Sequence, residues 1–275
     1  IFSGDFLVKG AVGVAEKFNI SPLVIGMTVV SFGTSAPELF VSVKAAMMGS
    51  PDLAIGNVLG SNIANIALVL AITVIIFPIF VERNSKIIDW PMMMFSSILF
   101  YVFSMDNIIE RWEGIVLVIL LMIFIVFLIQ NSRKNNENIE VEIDKKPNNF
   151  PLTLVFLFAG LIGLKFGADW LLDGAIGIAQ SFGMSEKVIG VTIVAFGTSL
   201  PELASSIAAI AAGDSEIVIG NVVGSNIANI CLIMGITAVL AKEIKLEFTV
   251  LDIDIPFLLG SGFFLWISCW DLKIA

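Results

Sequence analysis

Gly33-Thr34-Ser35-Ala36-Pro37-Glu38 lies inside a long apolar stretch of this sequence, and Gly197-Thr198-Ser199-Leu200-Pro201-Glu202 repeats the pattern. Each copy places a carboxylate, two hydroxyls and a helix-breaking proline at the expected depth of a membrane. Burying a carboxylate without a partner is costly, so acidic residues inside membranes usually serve a function. The two copies therefore predict a cation site formed by two related halves of a membrane protein.

The composition is that of a helical membrane protein. Of the 275 residues, 57% are hydrophobic and 14% are charged, against about a quarter charged in soluble domains. Several apolar segments exceed the ~18 residues needed to cross a bilayer. The absence of histidine excludes histidine-based metal sites and catalytic triads. Because no block of basic residues occurs, nucleic acid is not an expected partner. Cys231 and Cys269 lie in apolar surroundings and are interpreted as small buried hydrophobes.

An internal repeat organises the whole chain. Shifting the sequence by 164 residues aligns Glu38 with Glu202 and Asn65 with Asn229, and no gap is needed. Between residues 21–66 and 185–230, 27 of 46 positions are identical. Identity at this level indicates a duplication.

The repeat and the hydropathy together predict the domain organisation. We expect a first half over residues 1–130, a cytoplasmic linker over 131–150 and a second half over 151–275. Five spans per half is an odd number, so the second half must enter the membrane from the opposite side, which gives an inverted repeat. Loops on the linker's side carry seven Lys and Arg residues against five on the other side, which favours a cytoplasmic linker. The expected spans lie near 1–17, 21–48, 53–80, 87–105, 114–130, 151–180, 185–212, 216–241 and 248–268.

The first expected helix lacks the apolar lead-in of its counterpart, and nothing follows the ninth span that could match the fifth. The sequence is therefore expected to be an all-α polytopic fold of ten helices, truncated at both ends, with helices one (partial) to nine present.

The proline in each motif predicts a local break in the helix. Pro37 has no N–H, and its ring clashes with the carbonyl of Gly33. The expected unwinding frees backbone carbonyls, which cations can satisfy inside a membrane. Thr34 and Glu38 are four residues apart and share a helix face. Pro201 repeats the argument in the second half.

A polar stripe follows each motif on the next span. Asn57, Ser61 and Asn65 recur every four residues, and Asn221, Ser225 and Asn229 repeat them. All these groups are hard oxygen donors, which suit Ca²⁺ and Na⁺. Two carboxylates balance one divalent charge and can also face several Na⁺ ions, so competition is expected. Asn57, Asn62, Asn221 and Asn226 have a second interpretation, as hydrogen-bonding fasteners between helices.

The two motif pairs, Gly33 to Glu38 with residues 56–62 and their second-half copies, resemble the alpha repeats of the calcium/cation antiporter superfamily. Within it, the chain is most similar to prokaryotic sodium/calcium exchangers, and the similarity covers nearly the whole chain. The resemblance implies a ten-helix inverted-repeat fold with ion sites between the second, third, seventh and eighth helices.

The resemblance also implies a role for each site residue. Glu38 and Glu202 match the central acidic pair that ligates Ca²⁺ and is shared with Na⁺. One peripheral Na⁺ site is matched by Ser35 and Ser61, and the other by Ser199 and Ser225. Asn65 and Asn229 match polar residues beside the central pair. Backbone carbonyls are expected from Thr34, Thr198, Ser31 and Ala195.

The implied activity is secondary active exchange of Na⁺ for Ca²⁺ across a cell membrane by alternating access. The expected ligands are these transported ions and the lipid bilayer, with no cofactor, no enzymatic activity and a monomeric state. A cation/proton antiporter of the same superfamily is the alternative, because Glu38 and Glu202 could exchange protons. A cation channel is a weaker alternative, since channels commonly build selectivity from rings of subunits.

Overall fold

A computed structural model describes residues 2–137, 149–183, 195–241, 243–246, 250–269 and 273–274 of the chain. Within these residues, six helices are long and apolar enough to cross a membrane, and a seventh span is formed if one bent helix pair is counted. The architecture is thus an all-α, multi-pass membrane fold, as the hydropathy predicts.

The first half forms six helices, of which the second and third make one bent span. The angle between these two is 49°, at the position where the proline motif predicts a break. Wide π-helical turns occur before this break and in the next helix, over Gly26–Val30 and Asn65–Leu70. The helices are α1 (Phe2–Phe18), α2 (Pro22–Thr34), α3 (Ala36–Met47), α4 (Pro51–Ile76), α5 (Ser85–Asp106) and α6 (Arg111–Glu137).

The second half repeats this order. Residues 184–194, at the start of the predicted span 185–212, lie outside the described part of the chain. A π-helical segment over Asn229–Met234 matches the one in α4. The helices are α7 (Phe150–Ser181), α8 (Ala195–Thr198), α9 (Leu200–Ala211), α10 (Ser215–Ala241) and α11 (Val250–Ser268).

Two short antiparallel strand pairs connect loops outside the helices, and the sequence analysis did not predict them. Strand β1 (Ile79–Phe80) pairs with β4 (Lys273–Ile274), and β2 (Ile108–Glu110) pairs with β3 (Glu243–Lys245). The first pair begins shortly after α4 ends at Ile76, so this span ends four residues before the predicted end at residue 80. Each pair joins loops that are distant in sequence.

Helix α6 runs past residue 131, the predicted start of the linker. Helix α6 continues to Glu137, because its last turns are packed against the start of α2. The hydroxyl of Ser132 accepts a 2.7 Å hydrogen bond from the backbone N–H of Ser21, and Ser132 is only 6% exposed. Residues 138–148 of the predicted linker lie outside the described residues.

The positions of two equivalent phenylalanines show that the repeat is inverted. The ring of Phe18, at the end of α1, lies 5.8 Å from that of Phe150, at the start of α7. The repeat offset of 164 makes Phe182 the counterpart of Phe18, and Phe182 follows the last residue of α7. Equivalent residues therefore lie at opposite ends of the same 32-residue helix, and so on opposite sides of the membrane.

The turn that follows the bent span is the same in both halves. Gly49 has a φ of +80° and Gly213 has a φ of +84°, a left-handed conformation that ends a helix at low cost only for glycine. After the second turn, Asp214 caps α10 by accepting a 3.0 Å hydrogen bond from the N–H of Ile217. The duplication has therefore preserved local turn chemistry as well as the motifs.

Helix α10 lies at the centre of the fold, and 83% of its most apolar 18-residue stretch is buried. It approaches α2 closely through glycines on both helices. A Cβ added at Gly220 would lie 2.5 Å from the carbonyl oxygen of Leu23 and 2.9 Å from the Cα of Gly26. At Gly224, a Cβ would lie 2.5 Å from the Cα of Met27. This contact brings the second polar stripe beside the first proline motif.

Candidate cation-binding site

The helix break in each motif occurs at the serine two residues before the proline. Ser35 has φ −86° and ψ 7°, and Ser199 has φ −89° and ψ 5°, so both leave the helical conformation in the same way. Each proline occupies the first turn of the next helix, where its missing N–H is tolerated. The glutamate that follows is thereby held in the first turn of α3 or α9. The predicted break is confirmed in both halves.

The two carboxylates are buried without any basic partner in the described part of the chain. Glu38 and Glu202 are each 1% exposed. The two ion pairs found among the described residues lie elsewhere, at Lys165–Asp169 and Lys245–Glu243. Oε1 of Glu202 accepts a 2.9 Å hydrogen bond from the hydroxyl of Ser35, a residue of the other half. The bond places Glu202 next to the first motif.

Unpaired buried oxygens are concentrated on the predicted ligands. In the described residues, twelve buried side-chain nitrogen and oxygen atoms have no hydrogen-bond partner, although buried polar groups are nearly always paired. Seven of the twelve belong to predicted site residues. These seven are both carboxylate oxygens of Glu38, Oε2 of Glu202, Oδ1 of Asn65, Oδ1 of Asn229, Oγ of Ser199 and Oγ of Ser225.

This set consists only of oxygen atoms and carries at most two negative charges. No group of three or more His, Cys, Asp or Glu side chains that could hold a metal occurs in the described ranges. A cation here would be held by two carboxylates together with neutral amide and hydroxyl oxygens. Such ligands suit hard cations that shed part of their hydration, such as Ca²⁺.

A second layer of asparagines fixes the helices that carry the glutamates. The amide of Asn57 donates to the backbone oxygen of Glu38 at 3.2 Å and to the hydroxyl of Ser42 at 2.9 Å. Asn221 repeats both contacts, at 3.2 Å to the backbone oxygen of Glu202 and 3.1 Å to the hydroxyl of Ser206. These bonds confirm the interpretation of Asn57 and Asn221 as fasteners between helices.

The hydroxyls of Ser31 and Thr34 are already occupied by backbone carbonyls. Ser31 donates to the carbonyl of Met27 at 2.8 Å, and Thr34 donates to the carbonyl of Ser31 at 3.2 Å. The carbonyl of Ser31 also accepts from the N–H of Ser35 at 2.9 Å. It therefore accepts two hydrogen bonds, whereas the resemblance assigns it to a cation. A hydroxyl that donates keeps its oxygen lone pairs, so the Thr34 hydroxyl, which also lies 3.3 Å from Oδ1 of Asn221, can still face a cation.

The structure describes the surroundings of the three remaining predicted residues, Ser61, Thr198 and Ala195, to different extents. Ser61 is buried at 4% exposure and lies on α4, one turn before Asn65. Thr198 ends α8 and is half-buried. Ala195 begins α8, at the edge of the described residues. A role of Asn62 and Asn226 as fasteners between helices was one of two interpretations, and their pairing with each other was not predicted. Their spacing of three residues from Asn65 and Asn229 was the available signal, since such positions share a helix face.

An inverted repeat with broken helices and an oxygen-lined site near the middle of the membrane is the architecture of secondary transporters. Comparison with known proteins gives the family. Residues 1–130 and 152–274 match the sodium/calcium exchanger protein family, and the chain belongs to it.

Individual relatives agree with this assignment. The chain is 30% identical over 314 residues to the sodium/calcium exchanger MaX1 of Methanosarcina acetivorans, covering 98% of this chain and 88% of MaX1. It is 36% identical over 247 residues to the inner membrane protein YrbG of Escherichia coli, covering 87% of this chain and 76% of YrbG. Among solved structures, the sodium-calcium exchanger NCX_Mj soaked without Na⁺ and Ca²⁺ matches with a TM-score of 0.86 and 36% identity, over 100% of this chain and 88% of that one.

Proposed function

We propose that this protein is a secondary antiporter that exchanges Na⁺ for Ca²⁺ across a cell membrane by alternating access. The observation that carries the proposal is the set of seven unpaired buried oxygens on motif and stripe residues that both repeats contribute. Leaving that many polar atoms unpaired is unfavourable, so a ligand that supplies positive charge would stabilise the site. The names of MaX1 and NCX_Mj support Na⁺ and Ca²⁺ as the two ions.

The charges of the site support competition between the two ions. Glu38 and Glu202 together neutralise one Ca²⁺ when both are ionised. Several Na⁺ ions can use the same carboxylates with the neutral oxygens around them, because both ions prefer hard oxygen ligands. The two ions then exclude each other from shared ligands, and each transport cycle carries one kind in each direction.

The assignment of ligands is part of the proposal. Glu38 and Glu202 ligate Ca²⁺, and the same two carboxylates also ligate Na⁺. Asn65 and Asn229 lie beside them. Ser35 with Ser61, and Ser199 with Ser225, form two peripheral Na⁺ sites. Backbone carbonyls of Thr34, Thr198, Ser31 and Ala195 complete the coordination, and that of Ser31 exchanges one of its two hydrogen bonds for the ion. We further propose that the chain acts as a monomer without a cofactor or an enzymatic reaction, divided into halves 1–130 and 151–275 by a cytoplasmic linker.

The test is uptake of radioactive Ca²⁺ into proteoliposomes loaded with Na⁺. Uptake is expected when Na⁺ is inside and absent outside, and it should stop when the Na⁺ gradient is removed. Glu38→Gln and Glu202→Gln each remove a charge without changing shape, so we expect the Ca²⁺ concentration for half-maximal uptake to rise roughly 100-fold, about 2.7 kcal/mol.

Glu113→Gln is the matched control. Glu113 is also buried, at 6% exposure, but it accepts a 2.8 Å hydrogen bond from the N–H of Glu110 in strand β2, outside both motifs. The Glu113→Gln substitution should change uptake by less than about twofold, because it alters a site that is independent of the motifs. Uptake driven by a pH gradient without Na⁺ would instead establish a cation/proton antiporter.

A further inference from the structure

The two asparagines Asn62 and Asn226 form a reciprocal pair where α4 and α10 cross. The amide nitrogen of Asn62 donates to the backbone oxygen of Asn226 at 3.2 Å, and that of Asn226 donates to the backbone oxygen of Asn62 at 3.3 Å. The two residues are 0% and 1% exposed. They are equivalent in the repeat, so the pair spans the two halves.

The backbone partners fix which way each of these amides faces. A carbonyl oxygen can only accept a hydrogen bond, so the side-chain atom facing it must be the NH₂ group. The side-chain oxygen of each residue must therefore face the other way. In that position, Oδ1 of Asn226 accepts from the amide of Asn65 at 3.0 Å, and Oδ1 of Asn62 accepts from the amide of Asn229 at 2.9 Å.

The same reasoning then fixes Asn65 and Asn229. Each must present its NH₂ group to the oxygen of the pair, which leaves its own Oδ1 on the opposite side. These two Oδ1 atoms are buried and are among the unpaired oxygens of the described residues. Both residues are 1% exposed, so bulk solvent does not supply the missing partner.

We infer that Asn62 and Asn226 are positioning residues that orient the cation ligands of the opposite half. Asn226 holds Asn65 with its oxygen towards the site, and Asn62 does the same for Asn229. Without this bond, an amide is free to rotate and present its NH₂ group, which repels a cation. The inference rests on the proposed function, because it assigns a role towards the same site.

The contacts are crossed between halves, and this makes the inference testable. Asn226→Leu removes the acceptor for Asn65 and leaves the acceptor for Asn229 in place. The half-saturating Ca²⁺ concentration is expected to rise about 10-fold or more, as when a residue that orients a metal ligand is lost. Asn226→Ser is made in parallel. It keeps a polar group, but its side chain is too short to make both bonds, so the half-saturating Ca²⁺ concentration should rise to a similar extent.

A second substitution separates positioning from a general loss of structure. A carboxylate presents oxygen in either orientation, so in an Asn65→Asp background the effect of Asn226→Leu should shrink to about twofold or less. In an Asn229→Asp background it should remain, because independent effects add to within about twofold. Asn62→Leu should show the mirror pattern, coupled to Asn229→Asp and not to Asn65→Asp.

The possible results are distinguishable. If the unaltered protein shows no Na⁺-dependent Ca²⁺ uptake, the proposed function fails. If uptake is normal but Asn226→Leu binds Ca²⁺ as well as the original, the positioning role is refuted. An equal effect of Asn226→Leu in both aspartate backgrounds would refute it too, since a purely structural defect does not depend on which ligand can rotate.

Discussion

The hydroxyl of Ser35 donates a 2.9 Å hydrogen bond to Oε1 of Glu202, and this bond joins the first motif to the second. The counterpart of Ser35 is Ser199, whose hydroxyl has no partner among the described residues. Both oxygens of Glu38 are likewise unpaired there. The two glutamates are thus equivalent in sequence but differ in their hydrogen bonds.

Replacing Ser35 by alanine tests its assignment to a peripheral Na⁺ site. We expect Ser35→Ala to raise the Na⁺ concentration that half-inhibits Ca²⁺ uptake about fivefold, close to the ~1 kcal/mol of one polar contact. Ser96→Ala is the control, because Ser96 is fully buried but donates to the carbonyl of Met93 at 2.9 Å. An equal change in both variants would count against the assignment.

The close contact of α2 and α10 predicts that Gly220→Ala destabilises the protein. The added methyl group would lie 2.5 Å from the Leu23 carbonyl oxygen, and overpacking of this kind costs about 1–3 kcal/mol. The midpoint of thermal unfolding in detergent should fall. Gly260→Ala, where no described atom lies within 4 Å of the added carbon, should leave the midpoint unchanged or raise it slightly, since alanine favours helices.

Labelling of single cysteines tests the orientation in the membrane. Met105 and Asn149 are exposed and lie beyond opposite ends of α6. A membrane-impermeant maleimide should label Met105→Cys in intact cells, and Asn149→Cys only after permeabilisation, if the linker is cytoplasmic. The native cysteines are both fully buried, so background labelling should be low. Labelling of both positions from one side would contradict a membrane-spanning α6.

Binding can also be measured without transport. At a Ca²⁺ concentration about 100 times the dissociation constant, binding should add about 2.7 kcal/mol to the free energy of unfolding, which raises the thermal midpoint. Addition of a chelator should reverse the rise. Glu202→Gln should lose most of it, while Glu113→Gln should retain it. A rise of the same size in Glu202→Gln would place the bound ion elsewhere.

The sequence was sufficient to predict the helix break and the repeat, and it proposed the residues of the candidate site. Pro37 and Pro201 lack an N–H wherever they occur, so the interruption is a local property of the chain. The unpaired oxygens fall on Glu38, Asn65 and their copies because a carboxylate or amide in an apolar span has few partners available. These inferences needed only short-range chemistry and the offset of 164 residues.

Other features depend on contacts that no local pattern records. Strands of two or three residues, such as β2 and β3, carry no periodicity. The extension of α6 to Glu137 follows from the contact of Ser132 with Ser21, which are 111 residues apart in sequence. The reciprocal bonds of Asn62 and Asn226 arise where two helices cross, so the spacing of asparagines could suggest a fastener without identifying its partner.

The reciprocal asparagine pair also limits how the two halves can diverge. Exposed or peripheral positions have drifted since the duplication, so that Phe40 and Lys44 correspond to Ala204 and Ala208. A change at Asn62 alone would remove the acceptor of the buried Asn229 amide in the other half. Each gene segment therefore encodes a residue that sets a side-chain orientation in the other, and selection on one half acts at this point through the opposite half.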